Sequence, residues 1–205
     1  VWVRCPPGGF IDPDWVLYTD GSCLDGPTAL LRRTGWAFVA VDASGLVRAV
    51  AHGVPPPWID TIFGAESWAI LQAVMLAPGD PGLRIDCKAA VDLFVAGRER
   101  AVMAGRRSAR AWAAIFAAND GEPFTRAVWM PAHTSGADVG VRLVGDGSVL
   151  TLVDRRSNDR ADGAAKSAVA THRVPAAIRK DIARQEADVE AMAWWVARVT
   201  VAANA

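Results

Sequence analysis

The sequence offers few easy signposts. Its three cysteines, Cys5, Cys23 and Cys87, are an odd count without metal-ligand spacing, which argues against a paired disulfide framework or a thiolate metal site. They read as reduced thiols in a reducing compartment, so an intracellular location, cytoplasmic or nuclear, is expected. The 22 basic and 22 acidic residues cancel to zero, so bulk charge points to no polyanionic partner. No apolar run reaches the roughly 18–20 residues needed to cross a bilayer, and no membrane partner is expected. The opening "VWVRCPPGGFIDPD" breaks at Pro and Gly before a signal-peptide core can form. It also has no initiating Met, which leaves open whether the chain is a piece of a longer product. No internal repeat or low-complexity tract is present.

The apolar share is 52%, including nine Trp, enough for a sizeable core in one large domain of this 205-residue chain. "WVLYTD" reads as a strand ending at Asp20, and "GWAFVAVDASGLVRAVAHGV" as two strands around a turn at 42–45. Pro55, Pro56 and Pro57 force a loop. "AESWAILQAVMLA" then carries apolar residues at helical spacing and stops at Pro78. "GLRID" is a short buried strand ending at Asp86, followed by the helix "AAVDLFVAG". Residues 98–110 hold five Arg against the single acid Glu99, a candidate phosphate-gripping surface or a solvated helix face.

"ARAWAAIFAAN" reads as a helix, "RAVWMPAH" as a strand, and "VRLVGDGSVL" as a small hairpin turning at Asp146–Gly147. Thr151 with Asp154 three residues on starts a further helix that runs to about Thr171. The last segment places Ile178, Ile182, Val189, Met192, Val196 and Val199 at near-heptad spacing. It is a helix whose stripe docks on the domain or meets a partner. The order gives an α/β fold with a mixed sheet, a meander first and parallel additions after. The expected divisions are an extension over 1–13, a domain over 14–172 with the hairpin insertion at about 141–150, and a C-terminal helix over 173–205.

Four acids fall at comparable places. Asp20 and Asp86 each end a strand, where sites in open α/β sheets gather. Glu66 opens the helix after the proline loop, and Asp162 lies inside the late helix with Asn158 one turn earlier on the same face. Singly, each has an ordinary reading as a turn residue, a first-turn acid, an N-cap or a solvated helix position. Together they would repel unless a cation offsets them. Hard oxygen ligands suit Mg²⁺ or Mn²⁺, and two such ions roughly 4 Å apart can serve a phosphodiester displacement.

In this order, "YTDGSCL", "AESWAILQA", "IDCKAAVD", "WMPAH" and "NDRADGAAKSA" resemble the segments of a type 1 ribonuclease H over about residues 14–172. The resemblance implies the ribonuclease H-like fold, a mixed five-stranded sheet of three antiparallel then two parallel strands flanked by helices. It implies Asp20, Glu66, Asp86 and Asp162 as ligands of two Mg²⁺ ions, for which Mn²⁺ substitutes. His133 would sit on a mobile loop beside them, assisting proton transfer or product release. The implied activity is hydrolysis of the RNA strand of RNA/DNA hybrids, and a reverse transcriptase or other domain of a longer polypeptide is a further expected partner.

The chain also departs from that pattern. "TIFGAE" puts Ile62 and Phe63 where Asn or Gln would meet a ribose, and "DGPTALLRRTGWA" carries no Asn. A tethering or nucleic-acid-binding remnant of a retroelement polyprotein is therefore the alternative reading. An exonuclease on the same fold would want a second acid where Ser22 stands, and an integrase would want Glu122 on a helix rather than in "NDGEPF". Cys23, Cys87, Trp112 and Trp129 read as packing residues, and His52 and His172 lie outside the site.

Overall fold

The computed structural model describes residues 1–77 and 79–205. The chain divides into two compact units, Val1–His172 and Arg173–Ala205. The first is built on a six-stranded sheet in the order β1-β4-β3-β2-β5-β6. Its strands are β1 (Trp2–Arg4), β2 (Val16–Leu24), β3 (Arg33–Val41), β4 (Val47–Gly53), β5 (Gly82–Ile85) and β6 (Ala127–Trp129). The meander β2-β3-β4 is antiparallel, and β5 and β6 add in parallel beside β2.

One strand more is present than the sequence predicts. Trp2 and Arg4 pair with Ala51 and Val50 of β4, so the expected N-terminal extension contributes an edge strand. The Trp2 ring packs edge-on to Phe38, its centroid 5.8 Å away. An apolar anchor in so short a segment is easily missed by a periodicity reading.

The β2-to-β4 strands alternate, apart from a register shift where Val41 pairs with Val47, which sorts their side chains onto two faces. Leu17, Trp36, Phe38, Ala40, Ala49 and Ala51 join a core with α1 (Ile62–Leu76), α2 (Lys88–Ala101) and α3 (Ala109–Ala117). Tyr18, Val39, Val41 and Val50 join a second core with Met130, Leu150 and, from α4 (Leu152–Ala170), Ala161. Each large side chain so buried contributes about 1.5–3 kcal/mol.

Helix boundaries follow local chemistry. Thr61 caps α1 by accepting from the Gly64 N–H at 3.0 Å, so this helix begins a turn before Glu66 rather than at it. The expected stop at Pro78 lies outside the described residues, and α1 ends at Leu76. At Gly97 φ is +80°, which breaks α2 where the sequence pattern ends it, and the chain winds on to Ala101. Thr151 and Asp154 form the capping box of α4.

The segment expected to form a hairpin at 141–150 does so in miniature: it turns at Asp146–Gly147, bridges Leu143 with Val149, and bonds Val144 N–H to Ser148 O and Leu150 N–H to Arg142 O at 2.9 and 2.8 Å. The turn is held locally, Asp146 accepting from Ser148 N–H and Oγ–H at 2.9 and 2.6 Å. The pairing stays at one bridge, too short for a strand of the sheet. β6 is likewise shorter than "RAVWMPAH" suggests, since Pro131 has no N–H to continue a ladder.

The second unit contains α5 (Ala176–Ala203), a continuous helix that carries the whole near-heptad stripe. Within it Arg198 stacks on Trp194, 4.7 Å from the ring centroid. No helix of the described residues is long and apolar enough to cross a membrane.

Candidate metal centre

Register sets up the site. The last described pair between the parallel strands β2 and β5 is Thr19 with Ile85, so the next residues on the two chains are Asp20 and Asp86. Parallel neighbours lie about 4.8 Å apart, which brings the two acids side by side. Asp20 is not the end of its strand, as the sequence suggests. β2 runs on to Leu24 and pairs Asp20 with Ala37 of β3, because β3 is long enough to support it after β5 has stopped. Asp20 is thus held by regular ladder bonds on one side and faces the open end of β5 on the other.

Glu66 arrives from α1, and Gly21 makes its approach possible. A Cβ on Gly21 would lie 2.3 Å from the Glu66 nitrogen and 2.5 Å from the Ala65 carbonyl carbon. Its N–H donates to Glu66 Oε2 at 3.0 Å, fixing that carboxylate. Gly35 plays the matching part on the other face, where a Cβ would lie 2.7 Å from both Ala165 O and Val169 N of α4. The two glycines let both helices sit close to the sheet, each carrying an acid to its edge.

Asp20, Glu66 and Asp86 each present a carboxylate oxygen within 4.8 Å of the others, close enough to share one cation. Asp20 and Glu66 are 5% and 7% exposed, and Asp86 is half-buried. Burial, with the charges of Asp86 and Asp162 added, pushes the Asp20 pKa up to about 8. Burial and the charge of Asp20 likewise raise that of Glu66, and burial raises that of Asp86. Asp20 Oδ2 is buried without a hydrogen-bond partner. A buried acceptor with no donor among clustered acids is the setting a hard divalent cation would relieve, so the residues fit such a group.

Asp162 lies outside that tight trio but lines the same cavity of about 530 Å³. Lys166, one turn on, holds it through a 2.8 Å bond from Nζ to Oδ2. His133 also borders the cavity, exposed and at φ +50°, a left-handed conformation costly for a residue with a side chain. The loop after it is tied to α4 by Arg155, whose Nε–H donates to Thr134 O at 3.1 Å. All five predicted site residues therefore border one cavity.

Lys166 was missed by sequence reasoning, although its place four residues after Asp162 on a helix would have found it. Trp129 is half-buried and donates its indole N–H to Asp86 O at 3.1 Å, clamping the backbone of that acid. Trp112 is fully buried and donates to Ser67 Oγ. Cys23 and Cys87 line the cavity as free cysteines, with burial pushing the Cys87 thiol up to about 11. His52 and His172 are engaged with backbone carbonyls, of Ala164 and Thr34. Glu122 follows the turn at 118–121 and lies outside any helix.

Ile62 and Phe63 form an apolar wall of the cavity. A neighbouring hollow of about 640 Å³ shares Cys23 and Ile62 with it and is bordered by Arg32 and Arg107. Both Arg residues reach Asp60, at 3.4 Å each.

No protein-family profile matches the chain, and no curated protein matches it. Solved structures do. The solution structure of the PFV RNase H domain is 16% identical, with 77% of this chain and 95% of that one aligned and a TM-score of 0.50. LC9-RNase H1, a type 1 RNase H with the type 2 active-site motif, is 15% identical over 76% of this chain and 74% of that one, also at 0.50. RNase H1 from the halophilic archaeon Halobacterium salinarum NRC-1 is 18% identical, covering 77% and 98%, at 0.47. The sheet order and the flanking helices agree with the two structures at 0.50, and the chain has a ribonuclease H-like fold.

Proposed function

We propose that this chain is a divalent-cation-dependent endonuclease that hydrolyses the RNA strand of RNA/DNA hybrids. The observation carrying the reading is the trio Asp20, Glu66 and Asp86, brought from three separate segments to within 4.8 Å, with a partnerless buried oxygen on Asp20. Asp20, Glu66 and Asp86, with Asp162 at the rim, would hold two Mg²⁺ ions, or Mn²⁺ in their place. The cations, when bound, would supply charge neutralisation and lower the pKa of a water so that it can lose its proton and attack a phosphodiester.

The protein's own groups do the rest. Gly21 N–H fixes Glu66, Trp129 fixes the Asp86 backbone and Lys166 restrains Asp162. His133, exposed beside the cavity, would deliver a proton to the departing oxygen or assist product release. Arg32 and Arg107 beside the adjoining hollow, with the Arg-rich segment 98–110, suit a phosphate backbone. The products would be a 5′-phosphate and a 3′-hydroxyl, without a covalent intermediate on the protein. The reading places the work inside the cell, on the hybrid, by the chain alone or with a reverse transcriptase or other domain of a longer polypeptide.

A tethering module that binds hybrid without cutting it is the second reading. It is favoured by the apolar wall of Ile62 and Phe63, which offers nothing to a 2′-hydroxyl. End-labelled RNA/DNA hybrid, double-stranded RNA and double-stranded DNA, each incubated with Mg²⁺ or with chelator, separate the two. Cation-dependent cutting of the hybrid's RNA strand alone, lost in Asp86→Asn, is expected. Tight binding without cutting in millimolar Mg²⁺ or Mn²⁺ would move the assignment to the tether.

A further inference from the structure

Asn158 on α4 has no part in the chemistry above, yet its surroundings are unusual for an amide. It is 5% exposed, and its Oδ1 is buried with no hydrogen-bond partner. Its Nδ2 makes one contact, donating to Asp86 Oδ2 at 3.4 Å. Small side chains, Ser157 and Ala161, flank it in the same buried row. An alanine there would continue that row and spare the fold a desolvated amide, so packing alone gives no reason for Asn. A carboxylate would add to the repulsion around Asp86, whereas a neutral donor can hold an acidic oxygen without adding charge.

We infer that Asn158 is a positioning residue of the cation site, acting through Asp86. Its N–H fixes the rotation of the Asp86 carboxylate, and its partnerless Oδ1 is an acceptor that the hydration shell of a bound cation would satisfy. The inference rests on the cation-dependent reading of the site. It adds a further requirement, that α4 contributes through an uncharged side chain as well as through Asp162. Outer groups that orient a metal-binding side chain are worth about 10–100-fold in metal affinity when removed.

The test titrates Mn²⁺ calorimetrically into the full chain without nucleic acid, for the wild type, Asn158→Ala and Asn158→Ser. Both variants remove the reach to Asp86, and Ser retains a polar group should Ala fail to fold. The expected result is Mn²⁺ affinity lowered about tenfold or more in each folded variant. In hybrid cleavage, the loss should be recovered by raising Mn²⁺, with kcat restored at saturation. Equal affinity in wild type and variants would overturn the role of Asn158 and leave the cation site standing, whether or not their melting temperatures differ. A kcat deficit that persists at saturating Mn²⁺ would also overturn it. No Mn²⁺ binding by the wild type would overturn the cation reading and this inference together.

Discussion

Replacing Asp20 by Asn should stabilise the cation-free protein. The Asp20 carboxyl is 5% exposed and titrates at about 8 in the fold against 3.8 for the free group. At pH 7.5 the unfolded chain carries it ionised, whereas the folded chain carries it mostly protonated. Holding the proton that far above 3.8 costs about 5 kcal/mol, at about 1.4 kcal/mol per pH unit. Because the folded pKa lies above the unfolded one, the cost is absent below about pH 4, grows as pH rises and levels off above about pH 8. Asn keeps the shape and has no proton to hold, so its advantage is about 5 kcal/mol at pH 7.5 and about 2 kcal/mol at pH 5. In a chain of this size that corresponds to about 10–20 °C and about 4–8 °C in Tm. Thermal melts in chelator at the two pH values measure both. Saturating Mg²⁺ should raise the wild-type Tm and leave the variant nearly unmoved. Equal melting temperatures in chelator, or a gain larger at pH 5 than at pH 7.5, would refute the burial-and-repulsion account of this site.

Three further outcomes follow from the geometry. Gly21→Ala places a methyl 2.3 Å from the Glu66 nitrogen, so α1 must retreat; a loss of about 3 kcal/mol in denaturant unfolding is expected, and a loss under about 1 kcal/mol would mean the helix gives freely. Tyr18→Phe removes the 2.7 Å bond to Asp154 and leaves a buried carboxylate oxygen short of a donor, which should cost about 1–3 kcal/mol by the same measurement. Lys166→Met takes away the cation beside Asp162; since Lys166 is largely exposed, the Tm should move by no more than about 2 °C, while hybrid cleavage at fixed Mg²⁺ falls about tenfold.

The sheet was legible wherever strands are long and alternate. β3 and β4 are separated by a turn whose Asp42 accepts from Ser44 and Leu46 N–H at 2.9 and 3.0 Å, and the Asp-Ala-Ser-Gly punctuation marks it in the sequence. Reading failed where an element depends on a partner distant in the chain. β1 is three residues long and exists because β4 has an open edge, and β2 continues past Asp20 because β3 extends alongside it. The small hairpin at 141–150 was legible, and only its attachment to the sheet was not. Its turn chemistry marks the hairpin, whose arms bond at Val144 N–H to Ser148 O and Leu150 N–H to Arg142 O, but nothing local shows that Gly145 N–H also ties the turn to β6 by donating to Trp129 O at 2.7 Å.

Asp20, Glu66 and Asp86 were legible for a different reason: each sits where one local pattern of the sequence gives way to the next, and the topology of a mixed sheet gathers such places at one edge, whereas Asp162 lies inside a helix pattern. The groups that make the cluster workable left weaker marks. Gly21 looks like half of a turn in "DGS", yet in the structure it lies within a strand, and its lack of a side chain serves the helix packed against it. Asn158 was seen on the right helix face, but its orphaned oxygen is a property of surroundings drawn from β5 and α4 together. Carboxylates reveal themselves in sequence because few other tasks want so many of them at strand ends. A missing Cβ or a neutral amide has many ordinary uses, and only the distances around it distinguish the one in force. A search for similar centres in divergent chains should therefore start from the acids and then ask of the coordinates which uncharged neighbour holds each one.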